Sequence, residues 1–218
     1  MNWNGTISLF IACIEIFLLI NLLIFSKKNK VNQLIYAIIV LLICYQFLEF
    51  LICGIELGSS LSAYLAFVVI SFLPPLCLLL TLKIFKNNFK LKYLLFIPPI
   101  FFTIYYFIII EQFAVVECTV LYATYNYPLG DLYGFFYYLP ILTSFLILIF
   151  KKKEIIKKHF NLLFIGHLFI ILPVVAGFSL LYLNFPGIVK SMESILCKFA
   201  FGFAIALSIF CLSNKNIN

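Results

Sequence analysis

Four ionisable side chains fall in stretches too apolar to carry them without a reason: Glu15, Glu49, His167 and Lys198. In hydrocarbon a charge costs roughly 2.5–3.5 kcal/mol on insertion scales, so each is expected to have a partner or a task. Gln46 and Glu49 are three residues apart and share one face of a helix, which Cys53 continues. Ser191, Ser194, Lys198 and Gly202 recur at i, i+3, i+7 and i+11, a second stripe of polar and small residues. Asn21 and Cys197 add polar atoms to otherwise oily segments. A carboxylate and an ammonium facing each other can neutralise one another and fix helix registry. Alternatively, they can line an outward-facing cavity that takes a small ligand, an ion or a proton, or each can snorkel to the headgroups. Glu15 and His167 would extend such a site inward as a relay of titratable groups, although His167 equally suits a hydrogen-bonded packing role.

The rest of the chain says what must hold these residues. Its 218 residues are 65% hydrophobic and only 11% charged, with a mean hydropathy of +1.18. Soluble domains carry about 25% charged residues, so a water-soluble globule, a disordered chain and a nucleic-acid binder are all excluded despite the net charge of +7. A bilayer core of ~30 Å needs about 20 apolar residues per helical span. Seven stretches meet that need, at about 8–25, 34–53, 61–82, 93–110, 132–150, 162–183 and 194–212. Pro98, Pro99 and Pro140 interrupt the fourth and fifth, Pro74-Pro75 is expected to kink the third, and Pro173 the sixth. Small residues at Ala200/Ala204 and Gly202/Ala206 give the last span faces for close packing.

Lysines orient the bundle. All 15 basic residues are lysine, so no guanidinium clamp can form. Lys27, Lys28, Lys30, Lys83, Lys86, Lys90, Lys92, Lys151, Lys152, Lys153, Lys157, Lys158 and Lys215 are 13 of the 15, and seven alternating spans put them all on one side. The positive-inside rule makes that side cytoplasmic, with the N-terminus outside and the C-terminus inside. Acidic residues run the other way, and tyrosines from Tyr122 to Tyr138 gather around the outer loop as an interfacial belt. At about 1.5 Å per residue, Glu15 lies ~18 Å above the inner boundary, His167 ~13 Å, Lys198 ~22 Å, Gln46 ~24 Å and Glu49 ~28 Å. Lys198 and the Gln46/Glu49 pair thus share a depth in the outer half, and their pairing is the expected contact.

Several chemistries are disfavoured. Only Cys118 of the seven cysteines falls in a long polar connection, so no disulfide framework is expected, and no spacing suits zinc. The first span lacks the basic start and small-residue cleavage site of a signal peptide, and Asn4-Gly5-Thr6 is a sequon too near the bilayer to matter. No phosphate-binding glycine motif, catalytic residue, cofactor site or extramembrane domain is expected. An intramembrane enzyme built on Glu15, His167 or Cys197 would need a nucleophile–base contact that no motif announces.

Lys198-Phe199-Ala200-Phe201-Gly202 invites comparison with microbial rhodopsins, but the third span has no acidic counter-ion and the one tryptophan is Trp3. Ceramidase-type zinc hydrolases need more histidines than two, and G-protein-coupled receptors lack support in spans three and seven. Gln46-Phe47-Leu48-Glu49, Phe72-Leu73-Pro74-Pro75 and Ser194-Ile195-Leu196-Cys197-Lys198-Phe199-Ala200 resemble, in order, a family of small bacterial multi-span membrane proteins of unknown function. Leu196 and Lys198 stand where that pattern has aromatic residues. The resemblance implies a membrane-embedded bundle in a bacterial inner membrane and no activity, and it singles out Gln46, Glu49, Ser194 and Cys197.

The expectation is an all-α seven-helix membrane bundle forming a single integral domain, 1–218. Its candidate function is non-enzymatic binding of a small ligand or ion between Glu49, Gln46, Lys198 and Ser194, and the alternative is a secondary transporter or proton-coupled permease. Its surroundings are the lipid bilayer, with no nucleic acid partner.

Overall fold

The computed structural model describes residues 3–85, 92–183 and 192–213. Within them the chain is helical but for one small hairpin. The helices are α1 Thr6–Phe25, α2 Lys30–Cys53, α3 Ser60–Ser71, α4 Leu73–Ile84, α5 Ile97–Ile108, α6 Gly130–Phe150, α7 Lys157–Tyr182 and α8 Met192–Ser213. Taking α3 and α4 as one unit, six helices are long and apolar enough to cross a membrane, which makes the chain a multi-pass membrane protein. The expected fourth span is shorter, an apolar segment over Tyr93–Ile108 whose first turn is a 3-10 helix.

Proline positions explain the two irregular spans. The expected kink at Pro74-Pro75 is a break: α3 ends at Ser71, and α4 restarts with the prolines in its first turn, where no helical N–H is required. Pro98-Pro99 open α5 in the same way. Pro140 and Pro173, by contrast, lie inside α6 and α7, which run through them. Elsewhere local capping sets the boundaries. The Asn29 side chain accepts from Asn32 N at 2.8 Å to start α2, and Ser59 and Ser62 form a reciprocal capping box at α3.

Packing is most extensive between α7 and α8, α1 and α2, and α4 and α6. The small face expected on the last span is used there. A Cβ on Gly202 would lie 2.6 Å from the Phe169 ring of α7, so only glycine lets that ring seat. Apolar side chains such as Phe17, Phe25 and Phe150 point outward, as lipid-facing positions require.

The hairpin was not expected. Strands β1 Ala114–Cys118 and β2 Ala123–Asn126 pair antiparallel, with a bulge between Val115 and Glu117. Long-range ties fix it at the bundle end opposite the lysine clusters. Cys118 forms a disulfide with Cys53 at the end of α2, correcting the expectation that the cysteines are unpaired. Asn4 Nδ2 donates to Cys118 O at 2.9 Å, and Gly5 N donates to Thr119 O at 3.2 Å. Gly5 has φ +72°, and a side chain there would press on Gly54 and Cys53. Tyr125, Tyr133 and Tyr137 are buried within the fold rather than standing in an interfacial belt. Tyr133 joins Phe67, Tyr106 and Tyr127 in a cluster of tilted and edge-on rings.

Candidate functional site

Helix α1 brings Ser8 and Glu15 to its buried face, seven residues apart. Helix α2 buries Tyr45, Gln46 and Glu49, and α8 supplies Ser194, Cys197 and Lys198. The expected pairing of α2 with α8 is present: Lys198 Nζ lies 2.8 Å from Glu49 Oε1. The same ammonium donates to Gln46 Oε1 at 2.7 Å and to Ser8 Oγ at 2.8 Å. An ammonium has three protons, and all three are therefore used.

The acceptors are satisfied in turn. Ser8 Oγ donates to Glu49 Oε1 at 3.2 Å, and Ser194 Oγ donates to Glu49 Oε2 at 3.1 Å. Gln46 Nε2 donates to the Cys197 carbonyl at 3.0 Å, so Cys197 contributes its backbone. The Tyr45 ring lies 6.0 Å from the ammonium. Above the cluster, Ala123 N in β2 donates to Ser194 Oγ at 3.1 Å, so the hairpin caps the site. Glu49 is 1% exposed and the Lys198 side chain 12%. Burying such a pair is costly unless its polar atoms find partners, and here each nitrogen and oxygen of the cluster has at least one.

Glu15 is different. It is fully buried, and neither carboxyl oxygen has a hydrogen-bond partner among the described residues. By its place along α1, Glu15 lies ~10 Å along the helix axis from Ser8, which Lys198 contacts. Ser8, Ile11, Ala12 and Glu15 line the buried face of α1, and of the two residues between the serine and the acid Ala12 is small.

The inward relay from Glu15 to His167 is not what the structure forms. His167 belongs to a second buried network on α4, α6 and α7. Its Nδ1 donates to Leu163 O at 2.8 Å, which leaves Nε2 as the acceptor for the Ser144 hydroxyl at 2.8 Å. Thr81 Oγ1 lies 2.6 Å from Ser144 Oγ, and Cys77 Sγ lies 3.7 Å from it. This is a hydroxyl–imidazole contact, but the imidazole is oriented by a backbone carbonyl and not by an acid. Asn21 also stands apart, its Nδ2 donating to Phe17 O of its own helix. Ser191 lies outside the described residues.

An apolar cavity of about 30 Å³ adjoins both networks, bordered by Leu42, Pro74, Cys77, Tyr137, Cys197 and Phe203. That is room for about two water molecules. Among the described residues no group of three His, Cys, Asp or Glu side chains is placed to hold a metal ion.

Sequence reasoning named Glu49, Gln46, Lys198 and Ser194, and the structure brings them together. It missed Ser8, whose signal was its position two helical turns from Glu15, and Ser144, which nothing in its own neighbourhood marks. Comparison with protein families, curated proteins and solved structures gives no match for this chain.

Proposed function

We propose that this chain is a non-enzymatic membrane protein of seven spans, N-terminus outside, that binds a small cation or cationic ligand in its outer half. Two independent features support the orientation. Lysines gather at one end, and the Cys53–Cys118 disulfide lies at the other, where an oxidising compartment would keep it. Tyr93–Ile108 is the remaining span, short but apolar throughout.

The observation that carries the binding reading is the seat of the Lys198 ammonium. A hydroxyl, an amide oxygen and a carboxylate oxygen surround it at 2.7–2.8 Å. Those oxygens are preorganised by Ser194, by Cys197 O and by the hairpin above them, so the cage is a cation site already filled by a tethered cation. Removing the tether should open it. In the full-length protein in detergent, Lys198→Ala should lower the thermal midpoint, and millimolar methylammonium chloride should restore it saturably, with choline chloride inert. No restoration by methylammonium, ammonium or alkali salts overturns the reading.

The transporter alternative draws on one feature, the break of the third span at Phe72 between α3 and α4, because broken helices frame the sites of many transporters. Cation-driven uptake into proteoliposomes, abolished by Glu49→Gln, would establish it.

A further inference from the structure

The two buried carboxyl groups of the outer half are unequally served. The Lys198 ammonium is paired with Glu49, and Glu15 lies two turns of α1 further along from Ser8. Glu49 has the ammonium, two hydroxyls and the cover of the hairpin. Glu15 is just as buried and has neither oxygen hydrogen-bonded. A buried polar group without a partner is costly, and native proteins rarely keep one without a use for it. We infer that Glu15 is a second seat for the Lys198 ammonium, and that when Lys198 occupies it, with the Glu15 proton released to solvent, the vacated Ser8–Gln46–Glu49 cage takes up one monovalent cation.

This rests on the cation-binding reading above and adds to it the class of ligand and the internal exchange that admits it. The geometry supplies each requirement. Seven residues of α1 separate Ser8 from Glu15, a drop of ~10 Å along the helix axis. The flexible four-carbon stem of lysine can reorient its ammonium over such a range about a fixed Cα. Ile11 and Ala12 are the buried α1 residues between the two seats, and Ala12 leaves the side of that face next to it open to the stem. The cage then presents one carboxylate with neutral oxygens from Ser8, Gln46 and Ser194, a single formal charge that matches a single positive ion. With no group of three His, Cys, Asp or Glu side chains placed to hold a metal among the described residues, a divalent transition-metal site is not what these residues form. Beside the cage stand Tyr45 of α2, whose ring lies 6.0 Å from the ammonium, and Cys197 of α8, whose carbonyl binds Gln46. Neither is a cation, so among the described residues Lys198 is the competitor for both seats.

The test uses the full-length protein in detergent at fixed pH, with choline chloride replaced stepwise by sodium, potassium or ammonium chloride at constant ionic strength. Wild type should show a saturable rise in thermal midpoint with at least one of these ions. Glu15→Gln, an isosteric change at a group with no partner, should raise the half-saturating concentration at least tenfold, because Lys198 loses its alternative seat. Glu15→Leu serves the same purpose should the amide variant not fold. Lys198→Ala should respond at least tenfold more sensitively than wild type, with the internal competitor gone. A wild type without saturable response beside a responsive Lys198→Ala would overturn the exchange and leave the cage standing. A Glu15→Gln response equal to wild type would equally overturn the role of Glu15. Absence of response in both wild type and Lys198→Ala would overturn the cage itself.

Discussion

The network around Glu49 is ionic and tied to the covered end of the bundle, whereas the network around His167 is made of hydroxyls, a thiol and an imidazole between α4, α6 and α7. Both are buried, and both join three helices. They differ in what failure would cost. In the neutral network, losing one partner strands a hydroxyl or ring nitrogen, about 1–3 kcal/mol. In the ionic network, losing one partner strands a charge in a medium that cannot solvate it. The ionic cluster is accordingly saturated, with every ammonium proton and both Glu49 oxygens used. Of the two buried carboxyl groups described in that half, Glu15 is the one whose oxygens are not hydrogen-bonded, and the contrast with Glu49 marks it as the group with capacity to spare.

This difference can be broken experimentally in order of expected effect. Lys198→Met should be the most damaging single change, costing about 3–5 kcal/mol in denaturant-driven unfolding, because Glu49 is left uncompensated. Removing the disulfide by Cys53→Ser should cost about 2–4 kcal/mol, since it cross-links residues 65 apart in sequence and anchors the cap over Ser194. The Cys53→Ser protein should also expose Cys118 to membrane-impermeant thiol reagents added outside intact cells; labelling only after lysis would reverse the orientation. Ser144→Ala should cost about 1–3 kcal/mol by leaving His167 Nε2 with only the weak Cys77 thiol at 3.9 Å, and pairing it with His167→Leu should cost less than the sum of the two single changes. Lys151→Ala breaks an ion pair of 2.9 Å with Glu154 that water reaches, and it should change stability by less than about 1 kcal/mol. An equal loss for Lys151→Ala and Lys198→Met would erase the distinction between the buried and the exposed pair.

The sequence made the ionic network legible because few arrangements tolerate a charge in oil. Depth alone placed Lys198 beside Glu49, and the three-residue spacing added Gln46. Lysine distribution likewise ordered the spans, six of which are long helices in the structure. The neutral network was not legible, since Ser144 and Thr81 resemble any small residue in a membrane helix and need no charged partner. Helices that are apolar on every side carry no periodicity to say which neighbour each face meets, so the expected approach of Glu15 to His167 had depth in its favour but not rotation. The hairpin was hidden for another reason. Its strands are five and four residues long, too short for a clear alternation, and its ties to Cys53, Gly5 and Ser194 are all distant in sequence. Cys53 was read as continuing the Gln46/Glu49 face, and only its Cα separation of 5.4 Å from Cys118 shows the bond.

The most direct measurement is a double-mutant cycle on Glu49→Gln and Lys198→Met, read by reversible unfolding of the full-length protein in mixed micelles. A mutually dependent pair predicts that the double variant recovers most of what either single change loses, a coupling of about 2–3 kcal/mol. Additive losses, within about 0.5 kcal/mol, would mean that Lys198 and Glu49 do not depend on one another, and would contradict the account at its centre.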